Sequence, residues 1–94
     1  MEINNSSITT LKLSKQYLTK LPDDILQYIN LIKLDCQNNE ITSLDNLPSG
    51  LQHLTCTYNK ITSLDNLPLG LQYLDYSNNL LQYNFVPILK ILKL

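Results

Sequence analysis

The sequence predicts a repeat solenoid: a short parallel β-sheet with one strand per repeat, curved so that the strands line a concave side, and a convex side of mostly irregular or 3-10 backbone. Three observations predict it. Residues 41–80 read as two lines of twenty, ITSLDNLPSGLQHLTCTYNK and ITSLDNLPLGLQYLDYSNNL, identical at thirteen positions and unchanged over the first eight. Self-similarity at a fixed period of this length marks supersecondary units that stack. The apolar frame of those two lines also extends to both sides of them. Finally, an Asn returns at one place in the frame, as Asn39, Asn59 and Asn79.

The frame starts at Ile8. Ile8, Leu11, Leu13, Gln16, Leu18 and Leu21 set it, and it returns as Leu31, Leu34, Cys36, Asn39, Ile41, Leu44. It returns again as Leu51, Leu54, Cys56, Asn59, Ile61, Leu64, and then as Leu71, Leu74, Tyr76, Asn79, Leu81. The starts are 23, 20 and 20 residues apart. In a pair such as Leu54 and Cys56 the period is two, so both side chains point to one face of a short strand. Parallel strands stack about 4.8 Å apart, and the Leu and Cys columns merge into one core that no single repeat could bury alone. The Asn column sits where the chain turns out of each strand, and its amides are expected to bond to the neighbouring turn. Gln16 departs from that column, as a terminal repeat does.

The return paths differ. In the first repeat, Pro22 with Asp23 and Asp24 suits a first helical turn, and Ile25 and Tyr28 face inward, which predicts a short helix or 3-10 turn. The next two paths, 44–50 and 64–70, are three residues shorter and carry Pro and Gly, which favours an extended or turn-like course. The expected organisation is a polar segment 1–7 and a repeat domain 8–94, with repeats near 8–30, 31–50, 51–70 and 71–88 and a partial fifth at 89–94. Residues 1–7 are too polar and short for a helical cap. The tail fits either a fifth strand, through Leu89, Leu92 and Leu94, or a short capping helix opened by Pro87, and the strand is preferred. An uncovered apolar edge strand there invites self-association.

The LxxLxLxxNxLxxL frame resembles the short, twenty-residue class of leucine-rich repeats over nearly the whole chain. The block from Leu47 to Leu64 is similar to repeats in effector proteins of bacterial pathogens. The Cys-bearing strand, the Ile-Thr-Ser-Leu-Asp-Asn-Leu-Pro turn and a composition rich in Asn, Ile, Lys, Leu and Tyr but without Ala, Arg or Trp resemble repeat proteins of giant viruses of amoebae, the mimivirus group. The resemblance implies a leucine-rich repeat solenoid that binds other proteins on its concave face.

Charge and composition narrow the function. A net charge of −1 with Lys as the only strong base gives no polyanion footprint, so nucleic acid is not the expected partner. No apolar run approaches the roughly 20 residues that span a bilayer, and the first residues lack the charged and apolar regions of a signal peptide. The expectation is a cytoplasmic protein, in the host cytoplasm if viral, with no membrane partner.

Cys36 and Cys56 fall in register on adjacent strands and read as two small buried apolar residues. Their Cβ vectors run parallel, which disfavours a disulfide. His53 tempts a dyad with Cys56, but strand parity puts the two on opposite faces. One His and two Cys also fall short of a four-ligand zinc site. Asp45 and Asp65 on the convex turns read as turn residues, since one carboxylate per turn falls short of a calcium site. No enzyme and no cofactor are therefore expected.

The candidate surface is the outward side of the strands. Its columns run Thr10, Lys33, His53, Tyr73; then Lys12, Asp35, Thr55, Asp75; then Ser14, Gln37, Thr57, Ser77; with Lys15, Asn38, Tyr58, Asn78 flanking. His53, Tyr58 and Tyr73 form its aromatic cluster, and aromatics serve as interface anchors. The partner-binding residues expected are Lys33, Asp35, His53, Thr55, Tyr58, Tyr73 and Asp75. Self-assembly through exposed end strands is the alternative, giving a homo-oligomer.

Overall fold

The structure, a computed structural model, describes residues 5–81. Four strands of three residues each lie in one parallel sheet: β1 Thr10–Lys12, β2 Lys33–Asp35, β3 His53–Thr55 and β4 Tyr73–Asp75. The sheet runs β1-β2-β3-β4 in sequence order. The register follows the sequence columns: Thr10, Lys33, His53 and Tyr73 form one row, and Lys12, Asp35, Thr55 and Asp75 the next. Twenty residues per repeat suffice for a parallel crossover because each return path is tight. A β-turn closes it, with the Leu51 N–H donating to the Pro48 carbonyl and the Leu71 N–H to that of Pro68, both at 3.2 Å.

The middle residue of each strand points into the core. Leu34, Leu54 and Leu74 are buried there with Cys36, Cys56, Ile41, Ile61, Leu44 and Leu64, while Leu11 is only partly covered. Burying one such aliphatic side chain is worth about 1.5–3 kcal/mol, and the stacking of repeats is what makes complete burial available. The first return path forms a 3-10 turn at Ile25–Gln27 that buries Ile25 and packs Tyr28 against the core. The two shorter paths hold turns and no helix. The first path has three more residues than the others, and its turn carries Ile25 into the core.

Four findings differ from the sequence expectations or add to them. Within the polar segment, Asn5–Ser7 makes one 3-10 turn with no buried residue, and Asn30 Nδ2 donates to the Ser6 carbonyl at 2.7 Å. Thr57, expected on the outward face, is buried. The strand ends at Thr55, so alternation no longer applies two residues on, and Thr57 Oγ1 turns to Gln37 Oε1 at 3.4 Å. The left-handed backbone of the convex turns falls on Asn46 and Asn66, at φ of 63° and 67°, and not on Gly50 or Gly70. The flanking column is itself left-handed: Lys15, Asn38, Tyr58 and Asn78 all have positive φ. The tail for which a fifth strand or a capping helix is expected lies outside the described residues.

The Asn column does what its spacing predicts. Asn59 Nδ2 donates to the carbonyls of Cys36 (2.9 Å), Cys56 (3.1 Å) and Thr57 (3.2 Å), and its Oδ1 accepts from the Ile41 N–H at 3.0 Å. Asn39 Oδ1 accepts from the backbone of Gln16 and Leu18, so the exposed Gln16 takes part through its main chain alone. Each amide thus ties its own turn to the preceding one.

Candidate protein-binding face

The face of the sheet opposite the core carries a hollow of about 260 Å³. Five of the seven residues expected from the sequence line it: Lys33, Asp35, His53, Thr55 and Tyr73. Thr10 and Lys12 from β1 and Leu34 from β2 complete it. Thr10 and Lys12 belong to the columns read from the sequence, and it is their register opposite Lys33 and Asp35 that draws them in.

The two remaining residues lie elsewhere. Tyr58 does not join the aromatic pair. The rings in contact are His53 and Tyr73, with centroids 6.0 Å apart and planes tilted by 31°. Tyr58 sits three residues past β3 in the left-handed turn, with φ of 57° and 58% of its surface exposed. Parity does not reach a residue in a turn, which is why the cluster expected from the sequence becomes a pair with an outlying ring. Asp75 stands on β4 in the row of Thr55 without lining the hollow.

The acids on this face are partly occupied. Asp35 Oδ1 accepts from the Gln37 N–H at 3.1 Å, and its Oδ2 accepts from Gln37 Nε2 at 3.0 Å. Asp75 Oδ1 accepts from the Ser77 N–H at 3.2 Å and from its hydroxyl at 2.9 Å. Both are turns in which an Asp side chain bonds two residues ahead. The lysines on the face are exposed and make no ion pair among the described residues. The two ion pairs found there are Lys20–Asp23 and Lys60–Glu40.

The cysteines stand behind the face. Both are buried and free. Burial, with the Asp35 charge adding to it, pushes the Cys36 thiol up to about 12. Burial pushes Cys56 up as well, with Cys36 and Asp75 adding to it. The Cys56 thiol donates to the Asp75 carbonyl at 3.4 Å, and among the described residues no hydrogen bond joins it to His53. A protonated thiol in the core is a packing group, since the thiolate is the nucleophilic form. Among the described residues no group of His, Cys, Asp and Glu could hold a metal ion, and no helix is long and apolar enough to cross a membrane.

One strand per repeat and a buried amide ladder define a solenoid of stacked repeats. Residues 29–69 match the family model for Leucine Rich repeats (2 copies). That match and the four-stranded parallel sheet with few helical turns support a leucine-rich repeat protein, a class that generally mediates protein–protein interaction. No curated protein and no solved structure matches the chain, so the likeness to giant-virus proteins has no support from these comparisons.

Proposed function

We propose that the chain is a non-enzymatic module that binds a partner protein on the concave side of its sheet. The observation that carries this is the hollow, where Lys33, Asp35, His53, Thr55 and Tyr73 converge from three adjacent strands. An aromatic pair with charged groups of both signs around it has the make-up of an interface core with a polar rim. Tyr58 and Asp75 extend the same surface toward the strand exits. The proposed setting is the cytoplasm, of the host if the chain is viral, in keeping with two unpaired cysteines. The test is a pull-down on a protein array with the wild type, Tyr73→Ala and Tyr58→Ala. Proteins held by the wild type should be lost with Tyr73→Ala and weakened with Tyr58→Ala. Binding that both variants leave unchanged would sink the proposal.

A second reading has one observation in its favour. Among the described residues β1 pairs with a strand on one side only, and an unpaired strand edge is a template for another chain. Self-assembly through such an edge predicts a mass that rises with concentration in light scattering. A constant monomer mass excludes it.

A further inference from the structure

We infer that the partner segment taken by this face is an extended, acidic stretch of polypeptide with one large apolar side chain near its carboxylates. The inference rests on the protein-binding reading above and names the chemistry of what is bound. Charge on the face is its first support. Five lysines fall among the described residues, and they divide by location. Lys20 and Lys60 are ion-paired, each at 3.1 Å. Lys12, Lys15 and Lys33, on or beside the β1–β2 end of the face, have no ionic partner among the described residues. Lys12 shows why. The register sets it directly opposite Asp35, yet Gln37 takes both oxygens of that carboxylate. Asp35 is held by Gln37 and makes no ion pair with Lys12, so the lysine ammonium is open to an outside acid, and complementary charge is what steers and registers a partner.

The hollow supplies the apolar requirement. Beside Lys33 it is walled by the tilted pair of His53 and Tyr73 rings and, at about 260 Å³, has room for one large side chain. The far end of the face carries Asp75, whose Oδ2 has no donor among the described residues. A polyphosphate repeats its charge at every unit and would meet Asp35 and Asp75 as it crossed the sheet. A peptide can place carboxylates over the lysines alone. Strands about 4.8 Å apart put β4 about 14 Å from β1, and an extended chain covers about 3.3 Å per residue, so four or five residues cross the face. The segment sets its carboxylates on Lys12 and Lys33, its apolar side chain two or three residues further along against His53 and Tyr73, and a neutral or basic residue near Asp75.

The test is fluorescence anisotropy with labelled probes: the peptide Asp-Glu-Ser-Phe-Ser-Lys, the same residues in reverse order, a version with Lys in place of Asp and Glu, and a short oligothymidylate. One acidic peptide should bind and lose at least about tenfold in affinity with Lys12→Ala/Lys33→Ala and again with Tyr73→Ala. The Lys-substituted peptide should bind at least about tenfold more weakly. Four results overturn the inference: equal binding of the Lys-substituted peptide, unchanged affinity in the double lysine variant, tighter binding of the oligothymidylate, or no binding of either acidic peptide up to about 1 mM. The underlying reading fails separately. Array partners that need Tyr73 but neither lysine leave the protein-binding face standing and remove the acidic segment. Partners indifferent to all three residues remove both.

Discussion

At Asn59 one buried side chain serves four backbone groups: the carbonyls of Cys36, Cys56 and Thr57 and the N–H of Ile41. Replacing it with Ala removes these partners in a place water does not reach. Asn59→Ala is expected to cost about 2–4 kcal/mol, since each stranded polar group carries its own desolvation penalty. Urea unfolding checks this as a lower midpoint at unchanged slope. Asn79, only partly buried, should cost less on the same substitution. The thiols give a pH effect whose sign follows from their direction. The folded-state Cys36 value, about 12, lies above its ordinary 9.0. The unfolded chain therefore loses its thiol proton first as pH rises. Stability from this group is complete below pH 9.0 and is lost between there and about 12, at up to about 1.4 kcal/mol per pH unit. The measurement is a difference between the wild type and a variant. The fall in melting temperature from pH 8 to 10.5 should be smaller in Cys36→Ala than in the wild type, and an equal fall would contradict the assignment. The Asn column and the buried cysteines were legible in the sequence because both follow from position in a repeating frame. The capture of Asp35 by Gln37 was not, because a side-chain bond two residues ahead leaves no period to detect.

Turns are where the repeat departs most from what its letters suggest. Pro-Ser-Gly and Pro-Leu-Gly look like turns that need glycine, yet neither Gly50 nor Gly70 has positive φ, and a Cβ at either would meet nothing within 4 Å. Gly50→Ala should therefore be neutral or stabilise by up to about 1 kcal/mol, by restricting the unfolded chain. Asn66→Ala puts a Cβ-bearing residue without a polar side chain at φ 67° and should destabilise by about 1 kcal/mol. Paired thermal melts of the two variants test the assignment, which an equal shift would refute. Within the flanking column the same logic singles out Tyr58, while Tyr17 is a second left-handed tyrosine outside it. The Tyr58 column otherwise holds Asn38, Asn78 and Lys15, all left-handed, and Asn tolerates that backbone best. Tyr58→Asn is expected to stabilise the fold by about 1 kcal/mol while weakening partner binding. A strained position occupied by a largely exposed ring points to a role outside the fold. A loss of stability in Tyr58→Asn would show instead that the ring packs. Which residues stand in the flanking column could be read from the sequence. That the column is left-handed could not, since Tyr and Lys are residues that conceal such a backbone.

Among the described residues each strand pairs only with its sequence neighbours. This explains how much of the fold a single duplicated line revealed: strand position, register and core all repeat with it. The make-up of the outward face does not, because its residues differ between the lines, as at His53 against Tyr73 and Thr55 against Asp75. Nearest-neighbour stacking also makes stability close to a sum of repeat and interface terms. A repeat inserted in frame should therefore add rather than disrupt. Placing a second copy of residues 41–60 between Lys60 and Ile61 keeps every junction of the kind the chain already has, because Ile61 follows Lys60 exactly as the copied line expects to be followed by its own Ile. The new strand would carry a second His53–Leu54–Thr55, bury a further Leu and Cys at full depth, and extend the amide ladder by one rung. Urea unfolding of the extended chain should show a higher midpoint and a steeper slope, because slope scales with the surface exposed on unfolding. A lower midpoint, or two separate transitions, would mean that the repeats are not interchangeable and that stability depends on contacts at the ends of the stack.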